Sequence, residues 1–81
     1  MEIQIGKRYR HYKGNIYKVI ALALHSETLE RVVVYQGEYE DAELGKDPVF
    51  VRPYEMFCEE VEVEGKRIPR FELLPDTGST L

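Results

Sequence analysis

Apolar and polar positions along the chain mostly alternate with period two, the spacing of half-buried strands. Gly6 to Tyr12 alternates and is rich in aromatic residues, so it reads as a first strand. Lys13-Gly14-Asn15 is a turn signal, and Ile16 to Leu24 follows as a second strand. Its odd positions (Tyr17, Val19, Ala21, Ala23 and His25) and its even positions (Ile16, Lys18, Ile20, Leu22 and Leu24) are both mostly apolar. That predicts a central strand covered on both sides. A helix is the competing reading of this run, and its β-branched residues and flanking turns favour the strand. His25 to Glu30 is a polar connection, and Arg31 to Gln36, with three consecutive valines, is a third strand.

Gly37 to Asp47 is acidic and carries two glycines, which predicts an exposed loop. Pro48 to Arg52 reads as a short fourth strand ended by Pro53, and Tyr54 to Phe57 suffices for one helical turn. Glu60 to Glu64 alternates strictly and predicts a half-buried strand with its acids in water. Gly65-Lys66 turns the chain into Arg67 to Leu73, a final strand. From Pro75 onward little can pack, so residues 74–81 are expected to form a mobile tail after a single domain spanning 1–73. Five or six short strands and one helical turn predict an all-β fold, a small barrel or sandwich. The expected core is Tyr17, Val19, Ala21, Ala23, Val33, Tyr35, Val49, Val51, Met56, Phe57, Val61, Val63 and Phe71.

A chain of 81 residues is one small domain, and its net charge of −4 excludes a broadly basic nucleic-acid binder. That charge is uneven. Lys7, Arg8, Arg10, Lys13 and Lys18 oppose only Glu2 in the first 26 residues, and the remainder is strongly acidic. The two ends are expected to neutralise each other in the fold. The longest apolar run, Val19 to Leu24, falls far below the ~20 residues that span a bilayer. No basic segment followed by an apolar run opens the chain, so no signal peptide and no membrane partner are expected. Cys58 is the single cysteine, which precludes an intrachain disulfide and fits a cytoplasmic setting.

The candidate chemistry is sparse. Cys58, His11 and His25 cannot supply the four ligands of a structural zinc site. His25-x-Glu27 matches half of a zinc deaminase signature, but the cysteine pair that would hold the metal is missing. Neither a metal nor a cofactor is expected. Leu74 to Gly78 spells a surface-sorting pentapeptide without the hydrophobic span and basic tail that signal requires.

Six segments in order do carry a resemblance. They are Tyr9-Arg10-His11-Tyr12-Lys13-Gly14, His25-Ser26-Glu27-Thr28, Val33-Val34-Tyr35, Val51-Arg52-Pro53, Met56-Phe57 and Pro69-Arg70-Phe71. Together the chain resembles a small bacterial family of unknown function whose members look like SH3-type β-barrels. Phe50 stands where that family often has tryptophan. The resemblance implies an SH3-like barrel and no particular activity.

The polar residues of those segments make the preferred site: His25, Ser26, Glu27, Thr28, Arg52 and Arg70. An arginine fork suits a carboxylate or a phosphate. The expectation is a non-enzymatic binding module for an anionic small ligand or peptide, with Tyr9, Tyr35 and Tyr54 beside the pocket. Tyrosines on a small barrel also suit a proline-rich peptide. One alternative is nucleic-acid binding on the Lys7–Lys18 face, with Tyr9 and Tyr12 stacking on bases. A second is a small hydrolase or transferase centred on His25. The apolar even face of the second strand leaves monomer and weak homodimer both open.

Overall fold

The computed structural model describes residues 2–75. Strands β1 (Arg8–His11), β2 (Ile16–Leu24), β3 (Arg31–Gly37), β6 (Val49–Pro53) and β9 (Phe71–Leu73) form an antiparallel sheet in the order β6-β3-β2-β1-β9. The acidic segment expected as a loop folds into a two-residue ladder, β4 (Glu40–Asp41) on β5 (Gly45–Lys46). Helix α1 (Tyr54–Cys58) follows β6. The expected final strand is broken at Arg70 into β8 (Lys66–Pro69), which pairs with β7 (Glu60–Val63), and β9, which pairs with β1. Arg70 is the junction. Its backbone N–H donates to the carbonyl of Glu59, and its carbonyl accepts from Tyr12. The fold is all-β with one short helix, a small barrel-like arrangement as the alternation predicts. The expected tail lies, from Asp76 on, outside the described residues.

The core is aromatic. Ile3, Tyr9, Val19, Val33, Tyr35, Phe57 and Phe71 are buried, with Tyr17, Phe50, Tyr54 and Cys58 packed around them. Phe57 and Phe71 stack with ring centres 3.9 Å apart, and Tyr9 and Tyr35 meet Phe57 edge-on at 5.5 and 5.4 Å. Offset and edge-on rings of this kind add to the gain from burial itself. Each buried hydroxyl keeps a partner: Tyr9 Oη accepts from the Gln4 N–H, and Tyr35 Oη accepts from Arg52 Nε.

Four expected core residues are instead exposed: Ala23, Val49, Val51 and Met56. The cause in β6 is parity. Phe50 pairs with Tyr35 and Arg52 with Val33, so Phe50 and Arg52 take the inward face and Val49 and Val51 the outward one. The cause in β2 is a bulge. The register shifts between Val19 and Ala21, inserting Ile20 as an extra residue opposite Val34. Tyr17 and Val19 point inward before it, and Leu22, opposite Val33, points inward after it. Beyond the core, Leu22 and Leu24 line an open groove of about 320 Å³ with Arg31 and Tyr54. β2 is central, as expected, but Ile20 on its outward face is exposed, so that face is not fully covered by the described residues. Ile3 and Tyr9 enter the core from segments whose alternation does not single them out.

Candidate functional site

Arg52 reaches inward from β6 because it pairs with Val33. Its Nε donates to Tyr35 Oη at 3.1 Å, and its guanidinium carbon stands 5.6 Å from the Phe71 ring centre. It makes no ion pair among the described residues. Arg70, at the β8–β9 junction, is held differently. Its Nε donates to the Met56 carbonyl at 3.1 Å, and Nη2 reaches Glu59 Oε1 at 3.1 Å. It thereby caps the C-terminal end of α1, where a cation is favoured.

His11 joins these two arginines. It ends β1, where its ring meets Phe71 edge-on at 4.9 Å and Tyr17 at 6.3 Å. Its Nδ1 accepts from the Lys13 N–H at 3.2 Å, which leaves Nε2 to carry the proton of the neutral ring. Burial holds its pKa below the ordinary histidine value, and the positive charges of Arg52, Arg70 and Lys13 push it further down. Three basic side chains therefore share one aromatic end of the core, and among the described residues Arg70 alone of the three pairs with a carboxylate.

Around them the rings of Tyr17, Tyr35, Phe50 and Phe71 make a continuous floor. Tyr17 meets Tyr35 at 5.2 Å, Phe50 at 6.0 Å and Phe71 at 5.8 Å. Tyr39, from the acidic segment, closes its edge with a hydroxyl-to-hydroxyl bond of 3.1 Å to Tyr17. Burial and that bond push the Tyr39 phenol well above its usual range. Gly37 makes the approach feasible, because a Cβ there would collide with the Tyr39 ring.

The His25–Thr28 loop is built from its own groups. His25 Nδ1 accepts from the N–H groups of Glu27 and Thr28, and Thr28 Oγ1 accepts from the Glu30 N–H. Leu29, at φ 61°, closes the turn with its N–H on the His25 carbonyl. All four residues are exposed. No hydrogen bond, ion pair or ring contact among the described residues joins this loop to Arg52 or Arg70. His11 is the residue that the sequence reading of the site omits. The signal was there: its place in the Tyr9–Gly14 segment, at a strand end before a glycine turn.

The basic N-terminal face is interleaved with acids. Arg8 pairs with Glu38 at 2.8 Å, and Arg10 lies opposite Glu72 in the β1–β9 register. Arg8–Glu38 is one ion pair between the basic first part of the sequence and the acidic remainder. An open cavity of about 490 Å³ sits on that side, between Lys18, Gln36, Glu38, Tyr39, Lys46 and Asp47. A smaller cleft of about 290 Å³ runs between Arg10, His11 and Tyr12 on one side and Ile68 and Pro69 on the other. Burial pushes the Cys58 thiol up, so it is a poor nucleophile. No group of three or more metal-ligating side chains occurs among the described residues, and none of their helices is long and apolar enough to cross a membrane.

Residues 7–73 match the family model described as a protein of unknown function, DUF1653. The chain belongs to the DUF1653 family. Its fold is similar to the crystal structure of a DUF1653 protein from Bordetella bronchiseptica, with a TM-score of 0.79 and 37% sequence identity over 90% of this chain and 88% of that one. No curated protein sequence matches it. In this chain, Val33-Val34-Tyr35, Val51-Arg52-Pro53 and Met56-Phe57 lie on strands and helix around the aromatic core, whereas His25-Ser26-Glu27-Thr28 lies in an exposed loop.

Proposed function

We propose that this DUF1653 chain is a non-enzymatic binding module of the bacterial cytoplasm, built on an SH3-like barrel. Its site is the pair of guanidinium groups of Arg52 and Arg70, with the His11 imidazole beside them, over the ring floor of Tyr17 and Phe71. The ligand is an oxyanion, the carboxylate or phosphate of a small molecule or peptide. One observation carries this reading: Arg52 is half-buried, its Nε is held by Tyr35, and no carboxylate neutralises it among the described residues. A guanidinium withdrawn from water without an acid partner is costly, and an incoming anion relieves that cost. The His25–Thr28 loop enters as an exposed neighbour, with the Ser26 hydroxyl and Glu27 carboxylate open to a larger ligand. The hydrolase alternative lacks support, since His25 Nδ1 already serves its own turn.

The test is a ¹⁵N NMR titration of the whole chain with inorganic phosphate, acetate, a short peptide with a free C-terminus, and single-stranded DNA. The expected result is a shift of the Arg52 and Arg70 Nε–H signals and the His11 ring with an oxyanion, removed by Arg52→Met. Phosphate and carboxylate arms distinguish the two chemistries. Two outcomes overturn the reading. One is an unchanged Arg52 Nε–H with every anion at ~10 mM, weaker than any useful affinity. The other is shifts confined to Lys7, Arg8, Arg10, Lys13 and Lys18 with DNA that fade as salt rises, which assign the nucleic-acid alternative instead.

A further inference from the structure

The change of strand partner at Arg70 leaves a cleft beside the end of β1. β8 pairs with β7 while β9 pairs with β1, so Ile68 and Pro69 depart from the line of β9. The Tyr12 N–H on the Arg70 carbonyl ties the two sides together at the junction. Between Arg10, His11 and Tyr12 on one side and Ile68 and Pro69 on the other lies the cleft of about 290 Å³, which Glu72 also lines. Arg10 and Tyr12 are exposed, whereas the His11 ring between them packs on Phe71 in the core.

We infer that this cleft binds a free α-amino acid with an apolar side chain. Charge selects the class first. Arg10 and Glu72 are direct cross-strand partners, so their side chains start roughly 5 Å apart on one face. Both are exposed, and neither forms an ion pair among the described residues. An anion alone meets the Glu72 carboxylate, a cation alone meets the Arg10 guanidinium, and a neutral molecule answers neither. A zwitterion answers both, with its carboxylate on the guanidinium fork and its ammonium on Glu72. Pairing the two side chains with each other at an exposed position gains little, so a ligand loses little by coming between them. Charges this close suit groups carried on one carbon, not the distant ends of a peptide.

The walls select the side chain. Ile68 is half-buried, Pro69 is exposed, and the Tyr12 ring completes an apolar lining. That ring is steadied by the His11 ring at 4.6 Å and by the Lys13 ammonium at 5.8 Å. The volume lies just under the ~300–1,000 Å³ of ordinary small-molecule sites, which suits a single residue. Neither Arg52 nor Arg70 lines this cleft, so the inference stands apart from the oxyanion site.

The experiment is a ¹H–¹⁵N NMR titration of the whole chain with L-leucine and L-phenylalanine to ~20 mM, spanning the ~1 mM affinity expected of so small and open a site. Glycine, N-acetyl-leucine and leucinamide are the controls, lacking in turn the side chain, the ammonium and the carboxylate. The expected result is saturating amide shifts at Arg10, Tyr12, Ile68 and Glu72 with leucine or phenylalanine, and binding of each control weaker by about fivefold or more. Arg10→Gln and Glu72→Gln each weaken leucine binding by a similar factor and leave the thermal melt unchanged, because both side chains are exposed. In the same titration the Arg52 Nε–H reports the oxyanion site, so a carboxylate held there registers separately. The inference is overturned if neither amino acid shifts these amides at the highest concentration. It is equally overturned if N-acetyl-leucine or leucinamide binds as well as leucine, or if both variants bind leucine as the wild type does.

Discussion

Strands β2, β3 and β6 carry similar numbers of branched apolar residues on both faces, yet the faces do different work. Inward, Val19, Val33 and Tyr35 sit against Phe57 and Phe71 with almost no exposure. Outward, Val34 is half-buried and Val49 and Val51 are exposed. The lesson is that hydrophobicity marks a surface to be covered, not which element covers it. The inner face is closed by the chain's own helix and final strand. Among the described residues, no such element lies over Val49 and Val51.

The comparison breaks most easily at its aromatic centre. Phe57→Ala removes the ring stacked on Phe71 and is expected to cost about 3–5 kcal/mol, close to the whole stability of a domain this small. Val51→Ala on the outer face is expected to change stability by less than about 0.5 kcal/mol. Urea denaturation of both variants measures the difference, and equal losses would mean that the outer face is covered in the folded monomer.

A smaller effect sharpens the boundary between core and site. Gly37→Ala forces the Tyr39 ring off Tyr17 and is expected to cost about 1–3 kcal/mol. Tyr39→Phe loses only the hydroxyl bond, about 1 kcal/mol. In a Tyr39→Ala background the Gly37→Ala penalty should largely vanish. A penalty that persists there would place the strain in the backbone instead of the ring.

The smallest effect is titration of His11. Its pKa is lowered in the fold, so the unfolded chain binds the proton more readily. Stability is therefore fully present above the ordinary histidine pKa near 6.5 and declines as pH falls from there toward the folded value. His11→Gln should flatten that decline. An oxyanion bound beside Arg52 should raise the His11 pKa, so binding tightens as pH falls. Ring-proton NMR with and without phosphate reads both, and a His11 pKa indifferent to phosphate would separate it from the site.

Much of this was legible in the chain. Alternation located β2 to the residue, and β3, β6, β7 and the helical turn to within one or two. The break at Arg70 had a signal in Pro69, which ends β8 as a proline ends a strand elsewhere, but the change of partner did not show: Glu59 and Tyr12 take the backbone groups of Arg70. The site was half legible. Arg52 and Arg70 stood out as charged residues in strand context, but His11 joined them only when β1 paired with β9 and laid its ring on Phe71.

The sequence by itself determined an all-β domain, its turns, its single helical turn and the uneven distribution of its charge. These follow from local conformational preference and charge counting. Only the tertiary structure decided which side of each strand is inside. One extra residue at Ile20 reverses the inward set of β2, and the register of β6 on β3 sends Arg52 in and Val51 out. Period-two alternation fixes that two faces exist, whereas pairing register, which depends on residues far apart in the chain, fixes which face meets the core.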